Sequence, residues 1–283
     1  MAEASAPASS ANLGPGFDCL AVALEIRCVV RAEPSEAWAV EHVGAAAPPP
    51  GADDAVLMAA RRAVGKDRPL ALTVDNSVPI GRGLGSSSAA AAAGAVAAWK
   101  AHGEEPSLHR AWEIATEMDG HPDNAAAAVY GGLVLATAGG AVHRLPWNVA
   151  LRAVVAVPNE PFRTSDARRL LPPAYDADVV TRSLARLAAL VAGLVGGDAS
   201  VLAGASGDEI HEAPRQAARP DVAELIEVAR AAGALHAAWS GAGPSMLALV
   251  TSSGVERVRS SLERCLGDRG VVLTPGIATS GVV

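Results

Sequence analysis

Between Pro79 and Trp99 the chain passes from Pro79-Ile80-Gly81-Arg82-Gly83-Leu84-Gly85-Ser86-Ser87-Ser88 straight into an alanine run that begins at Ala89. Alanine is the strongest helix former, so Ser86 to Trp99 is predicted helical and a flexible loop is joined directly to a helix N-terminus. Glycine at every second position of the loop permits positive φ angles and close approach of a ligand to the backbone. The first helical turn offers free N–H groups and the serines are placed to cap it, so the junction has the chemistry of an anion site that suits a triphosphate. On its own, the segment is equally readable as a glycine-rich cap on a helix that packs closely against a sheet.

Two other phosphate loops are excluded. A P-loop needs Gly-Lys-Ser/Thr, but the one Gly-Lys pair, Gly65-Lys66, is followed by Asp67. A dinucleotide fingerprint needs a third glycine where Ser86 stands, directly after a strand, whereas Asp75 to Pro79 is expected to be a polar connection. Composition narrows the field further. The net charge of −7 excludes a broad electrostatic footprint for nucleic acid or anionic lipid, so any phosphate must be held locally. All cations but Lys66 and Lys100 are arginines, which favours planar, bidentate contacts to carboxylates and phosphates. The three cysteines, Cys19, Cys28 and Cys265, lack metal spacing and point to a reducing, cytoplasmic compartment. There is no basic leader and no apolar run of the roughly 18 residues that would cross a bilayer, so neither export nor membrane insertion is expected.

A chain of 283 residues is predicted to form two domains, with the boundary between Asn148 and Val149. Residues 1–148 alternate predicted strands (Leu20–Val30, Trp38–Val43, Leu70–Val74, Gly131–Thr137) with helices (Ala55–Val64, Ser86–Trp99, Trp112–Met118), and Pro48-Pro49-Pro50-Gly51 reads as a breaker. Residues 149–283 read as strands at Leu151–Val157, Ala234–Trp239 and Met246–Val250 with helices at Arg182–Val195, Val222–Ala232 and Val255–Leu266. The fold class is α+β, as two sandwiches.

Three polar clusters are turns or caps when taken singly. They are Pro7-Ala8-Ser9-Ser10-Ala11-Asn12-Leu13-Gly14-Pro15-Gly16-Phe17-Asp18, Asp119-Gly120-His121-Pro122-Asp123-Asn124, and Ser240-Gly241-Ala242-Gly243-Pro244-Ser245. Together with the Gly-Ser loop, and in this order, they resemble the motifs of the GHMP kinase superfamily, and within it the homoserine kinase family, over nearly the whole chain. The resemblance implies an N-terminal ATP-binding domain like ribosomal protein S5 domain 2, with a left-handed βαβ crossover, and a ferredoxin-like C-terminal α/β sandwich, with the active site between them. It implies ATP and Mg2+, L-homoserine as acceptor, O-phospho-L-homoserine for threonine biosynthesis as product, and a cytoplasmic homodimer.

Residue by residue, the resemblance makes Pro79 through Ala89 the ATP-phosphate cradle, closed by Gly241 and Gly243. It makes Ser87, or its neighbour Ser86, together with Asp119, the metal ligands. Asn12, Asp18, His121, Asp123 and Asn124 surround the amino and hydroxyl ends of the acceptor, and Thr164, Arg168 and Arg215 its carboxylate end. A zwitterionic hydroxy-amino acid needs such a set: guanidinium for the carboxylate, carboxylates for the ammonium, and a polar group near the hydroxyl. Phosphoryl transfer relies mainly on positioning and charge neutralisation, so no general base is assigned and His121 is read as orienting. Asp119 stands where the family commonly has glutamate, which puts metal affinity in question, and Asp53-Asp54 stands where relatives carry an asparagine near adenine. Another small hydroxy acid or hydroxy-amino acid as acceptor, and a non-catalytic nucleotide-binding protein, are the competing readings.

Overall fold

The computed structural model describes residues 1–283 except 45, 46, 49–52 and 149. The expected domain boundary at Val149 and most of the Pro48 to Gly51 breaker therefore lie outside the described residues. The N-terminal half is organised by one long strand. β2 (Gly16–Pro34) pairs antiparallel with β1 (Ala2–Asn12) between Gly16 and Ala32 with two register shifts, with β4 (Leu70–Asn76) through Cys28–Pro34, and with β5 (Leu133–Ala136) through Leu20–Val22. β3 (Ala39–His42) adds parallel to β4, and β6 (Val142–Leu145) closes the other edge against β5. α1 (Ala55–Val64) connects the parallel pair and is capped by Asp54, whose side chain accepts from the Leu57 amide.

Behind the sheet lies α2 (Ser86–Ala101), apolar around its full circumference and buried from Ser88 to Trp99 apart from the half-buried Ala90. A helix apolar all round belongs in the middle of a core. It is enclosed by the sheet and by α1, α3 (Leu108–Asp119) and α4 (Pro122–Tyr130). Alanine and glycine make this close approach possible: a Cβ at Gly94 would lie 2.7 Å from the Val56 carbonyl oxygen of α1.

The second sheet has the order β10 (Gly270–Leu273), β7 (Leu151–Pro158), β9 (Met246–Thr251), β8 (His236–Trp239), antiparallel throughout. α9 (Pro220–Ala231) and α10 (Val255–Leu266) cover one face, burying Val154, Ala156, Trp239 and Met246. From the other face, Ala153, Val155, Val157, Leu247 and Leu249 join the core of the first sheet. Alternation of side chains across one strand thus glues the two halves together. The long link from β7 to α9 holds α5 (Thr164–Arg169), α6 (Ala177–Gly196), α7 (Ala199–Ala203) and α8 (Glu212–Gln216).

The structure corrects four expectations. Ala2–Asn12 is a strand, not only the approach to a turn: alanine, serine and proline are weak strand formers, and β1 forms because α2 and α4 bury it. β4 runs on through Asp75 and Asn76 rather than ending at Val74. Gly85, not a serine, is the N-cap of α2, in a left-handed conformation with no side-chain cap. Finally, α6 begins at Ala177 and is long and apolar enough, by length and composition, to cross a membrane. In the fold α6 seats Leu190 and Leu194 in the core, its Arg182 and Arg186 pair with Glu209, and Leu184 is exposed.

Gly94→Ala is expected to destabilise the protein by about 1–3 kcal/mol, because the α1–α2 contact has no room for a methyl group. Urea unfolding measures it; stabilisation by up to about 1 kcal/mol, as helix propensity alone dictates, would contradict this packing.

Candidate active site

The Gly-Ser loop is held from both halves of the molecule. The Ser9 amide donates to the Leu84 carbonyl, the Ser240 hydroxyl to the Gly83 carbonyl at 2.7 Å, and the Ser245 amide to the Arg82 carbonyl. Asn76, at the end of β4, accepts from the Val78 amide and donates to the Ser86 hydroxyl, which ties the start of the loop to the helix. Gly83 and Gly85 both have positive φ, and a side chain at either would run into Ser240 or Ser9. With Gly85 as the cap, the amides of the first turn of α2 carry no side-chain acceptor and point at the cavity with the positive end of the helix dipole.

That cavity measures about 420 Å³ and is lined by Ile80, Gly81, Gly83, Leu84, Gly85, Ser86, Ser87 and Gly241 of the expected phosphate cradle. Pro79, Arg82, Ser88, Ala89 and Gly243 are not among its lining residues. Arg82 turns away to the Asn159 and Ile80 carbonyls, Gly243 backs Gly83, and Ser88 and Ala89 are buried. The serines divide accordingly: the Ser87 side is open to the cavity, while the Ser88 hydroxyl donates to the Asp119 carboxylate and Ser86 is engaged with the loop.

On one side of the loop the cavity is lined by Asn12, Phe17, Asp18, His121, Asp123, Asn124, Thr164, Arg168 and Arg215, so every residue expected around the acceptor is brought to one place. The turn that carries the first three is unusual. Asn12, Leu13 and Asp18 all have positive φ, a conformation that costs a non-glycine residue energy and that the surrounding contacts must hold. The Asn12 side chain holds it by donating to the Gly241 carbonyl at 2.9 Å and accepting from the Asp18 amide at 3.0 Å. Asp18 and Arg168, 150 positions apart, form a two-pronged ion pair at 2.6 and 3.1 Å, each about a third exposed. Opposite charges expected for the two ends of a zwitterion are thus satisfied by each other.

Asp123 is nearly fully buried at the start of α4 and contacts His121 Nδ1 at 3.2 Å. Burial disfavours the imidazolium, but the hydrogen bond and charge of Asp123, with Asp119 behind, outweigh it and raise His121 above its ordinary value. Burial raises Asp119 as well, against the hydrogen bonds from Ser88 and Ser87. Asn124 accepts from the Ser9 hydroxyl at 2.7 Å, locking β1 to α4 beside Gly85. On the other side of the loop, Cys28, His42, Asp54, Val74, Ala90 and Met118 line the cavity, and His42 Nε2 meets Asp54 at 2.6 Å.

Phe17, Ser9 and His211 were absent from the expected set. The Phe17 ring stacks on the His211 imidazole at 5.0 Å and lies under the Arg168 and Arg215 guanidiniums at 5.4 and 5.8 Å. Ser9 and Phe17 stand in the quoted Pro7 to Asp18 segment, where a serine and an aromatic read as turn and core, and nothing local singles out His211.

The sequence matches the GHMP kinases N terminal domain over residues 53–132 and the GHMP kinases C terminal domain over 183–268. Homoserine kinase of Desulfitobacterium hafniense is 35% identical over 277 residues, spanning 94% of this chain and 92% of that protein. Homoserine kinase of Thermus thermophilus is 37% identical over 278 residues, spanning 96% and 94%. The crystal structure of homoserine kinase from Cytophaga hutchinsonii superposes with a TM-score of 0.88 at 25% identity, covering 100% of this chain and 96% of that one.

Burial pushes His211 and His236 each down to about 4 from an ordinary 6.5, and pushes Glu212 up to about 8 from 4.5. Between pH 4 and 6.5 the unfolded chain binds the extra histidine protons, so stability falls on acidification; from 4.5 to 8 it falls as pH rises because Glu212 is neutral only when folded. The two histidines outnumber the glutamate below 6.5, so denaturant unfolding should show a maximum near pH 6.5. Glu212→Gln, which can still accept from the Trp239 amide, should lessen the decline above the maximum and leave the part that comes from the raised His121; an unchanged decline would contradict the burial argument.

Proposed function

This chain belongs to the GHMP kinase family and, within it, to the homoserine kinases, and from that premise we propose that it transfers the γ-phosphoryl group of ATP to the side-chain hydroxyl of L-homoserine. The product, O-phospho-L-homoserine, feeds threonine synthesis. The architecture is the two-domain GHMP kinase fold. The observation that carries the acceptor assignment is that Arg168 and Arg215 line one cavity with Asp18 and Asp123, beside a helix N-terminus with no side-chain cap. Two cations and two anions around a small space match the carboxylate and ammonium of an amino acid, and the adjoining amides match the phosphates.

In this reading the amides of Gly83 to Ser88 hold the β- and γ-phosphates, and the wall formed by Cys28, Val74, Ala90 and Met118 receives the base. Arg215 and Arg168 take the acceptor carboxylate. Asp18 exchanges part of its bond to Arg168 for the ammonium group, with Asp123 as its second carboxylate. Asn12, Asn124 and Thr164 complete the polar surround, and His121, oriented by Asp123, donates near the transferring group. The hydroxyl oxygen forms the new bond to phosphorus in line as the bond to the ADP oxygen breaks, and the hydroxyl proton leaves to solvent. The chain's contribution is alignment and charge, not a dedicated base.

The metal reading also fits these residues. Asp119 is a buried carboxylate that burial holds above its ordinary value and Ser87 offers a hydroxyl to the same cavity, a donor pair short of cationic charge. Magnesium, when bound there, would neutralise charge on the phosphates. The three cysteines are free, which supports a reducing cytoplasmic setting, and the exposed apolar side of α6 around Leu184 supports a homodimer.

A coupled assay of ADP release with L-homoserine, L-threonine and mevalonate as acceptors tests the proposal, with homoserine expected to give the highest kcat/KM. ATP binding without homoserine-dependent ADP release would replace it with the non-catalytic reading. Asp119→Asn is expected to raise the magnesium concentration needed for half-maximal rate by about tenfold or more, with a smaller change in homoserine KM; an unchanged requirement would remove Asp119 from the metal site.

A further inference from the structure

Arg215 is a long, charged side chain that is only 1% exposed, so its orientation is set by the groups that accept its protons. Those groups can be counted. Nη1 donates to His211 Nδ1 at 2.8 Å and to the Gly241 carbonyl at 3.2 Å, which uses both of its hydrogens. Nε is buried without a partner among the described residues, which leaves Nη2 to meet a carboxylate in the cavity that Arg215 lines.

The histidine can accept only if its proton is on the other nitrogen. His211 Nε2 lies 2.7 Å from the Gly14 carbonyl, a pure acceptor, so Nε2 carries the hydrogen and Nδ1 presents its lone pair. Burial favours the same neutral form by pushing the imidazole down to about 4. The backbone amide of His211 donates at 2.6 Å to the fully buried side of Asp208, which fixes its place at the start of α8, and Phe17 covers one ring face. Gly14 belongs to the strained turn of Asn12 to Asp18, and the Gly241 carbonyl that Arg215 shares is also the acceptor of the Asn12 side chain.

We propose that His211 is a positioning residue that, by fixing Nη1 of Arg215, holds its Nη2 toward the acceptor and thereby makes the enzyme select substrates bearing an α-carboxylate. The inference rests on the reading of Arg215 as the carboxylate clamp and adds to it the group that aims the clamp. Removing the imidazole frees one Nη1 proton inside a buried site, and the guanidinium turns to recover an acceptor.

His211→Leu keeps the volume and removes the acceptor; His211→Gln keeps an acceptor and a donor on one side chain. The leucine variant is expected to raise the homoserine KM by roughly 10–100-fold while the ATP KM changes by less than about threefold. Its preference for homoserine over 3-amino-1-propanol, the same molecule without the carboxylate, should shrink by a similar factor, and the glutamine variant should recover most of both. A crystal structure of either variant reads the geometry without relying on turnover. Arg215 displaced from Gly241 in the leucine variant and retained in the glutamine variant is the expected result. Arg215 unmoved in the leucine variant, or homoserine and 3-amino-1-propanol affected equally, would overturn the proposal. If the leucine variant fails to fold, the glutamine variant decides by the same two readouts: loss of Arg215 alignment or of carboxylate preference despite the restored acceptor overturns it. Failure of the wild type to phosphorylate homoserine would sink the functional reading alone, since the guanidinium orientation is measured separately.

Discussion

The structure depends on a short backbone clamp. The carbonyls of Arg82, Gly83 and Leu84 accept from the Ser245 amide and the Ser240 hydroxyl on one side and from the Ser9 amide of β1 on the other. Because the contacts are to backbone, glycine is required where the chains touch, and the loop cannot be separated from either sheet. That constraint joins the two halves and aims the N-terminus of α2 into the space between them.

Alanine is the means by which the rest is arranged around that clamp. α2 is enclosed on every side, and a helix of larger residues would push α1, α3 and the sheet outward and carry the loop with them. The second sheet contributes one face to this shared core through Val155, Val157, Leu247 and Leu249, while its connection from β7 to α9 delivers Arg168 and Arg215 to the cavity. The first half therefore supplies anion-binding amides and carboxylates, and the second supplies guanidiniums. The Asp18–Arg168 pair is where the two sets meet, and the buried chain from Gly14 through His211 and Arg215 to Gly241 makes that meeting rigid.

What was legible from the residues alone followed from periodicity and local chemistry. α1 and α10 have the expected limits, because Ala55–Val64 and Val255–Leu266 place apolar residues at helical spacing between clear stops. The strands β7, apolar but for Arg152, and β9 are short runs rich in Val, Leu and Ala between clear stops and were readable from composition. β1 was not, since nothing in Ala-Pro-Ala-Ser-Ser favours an extended strand until β2, α2 and α4 close over it. The polar motifs singled out residues that the fold brings to one cavity, but no local pattern tells which serine faces the cavity or that Asp18 and Arg168 bind each other. Those are consequences of packing between segments far apart in sequence, and no periodicity singles out the buried histidine that meets Arg215.

The most direct measurement is a crystal structure with L-homoserine and a non-hydrolysable ATP analogue bound together. The account predicts the γ-phosphate against the amides of Gly83 to Ser88, the amino-acid carboxylate on Arg215 and Arg168, and the hydroxyl aimed at the γ-phosphorus. Phosphates bound away from the start of α2, or a carboxylate that meets neither guanidinium, would contradict it.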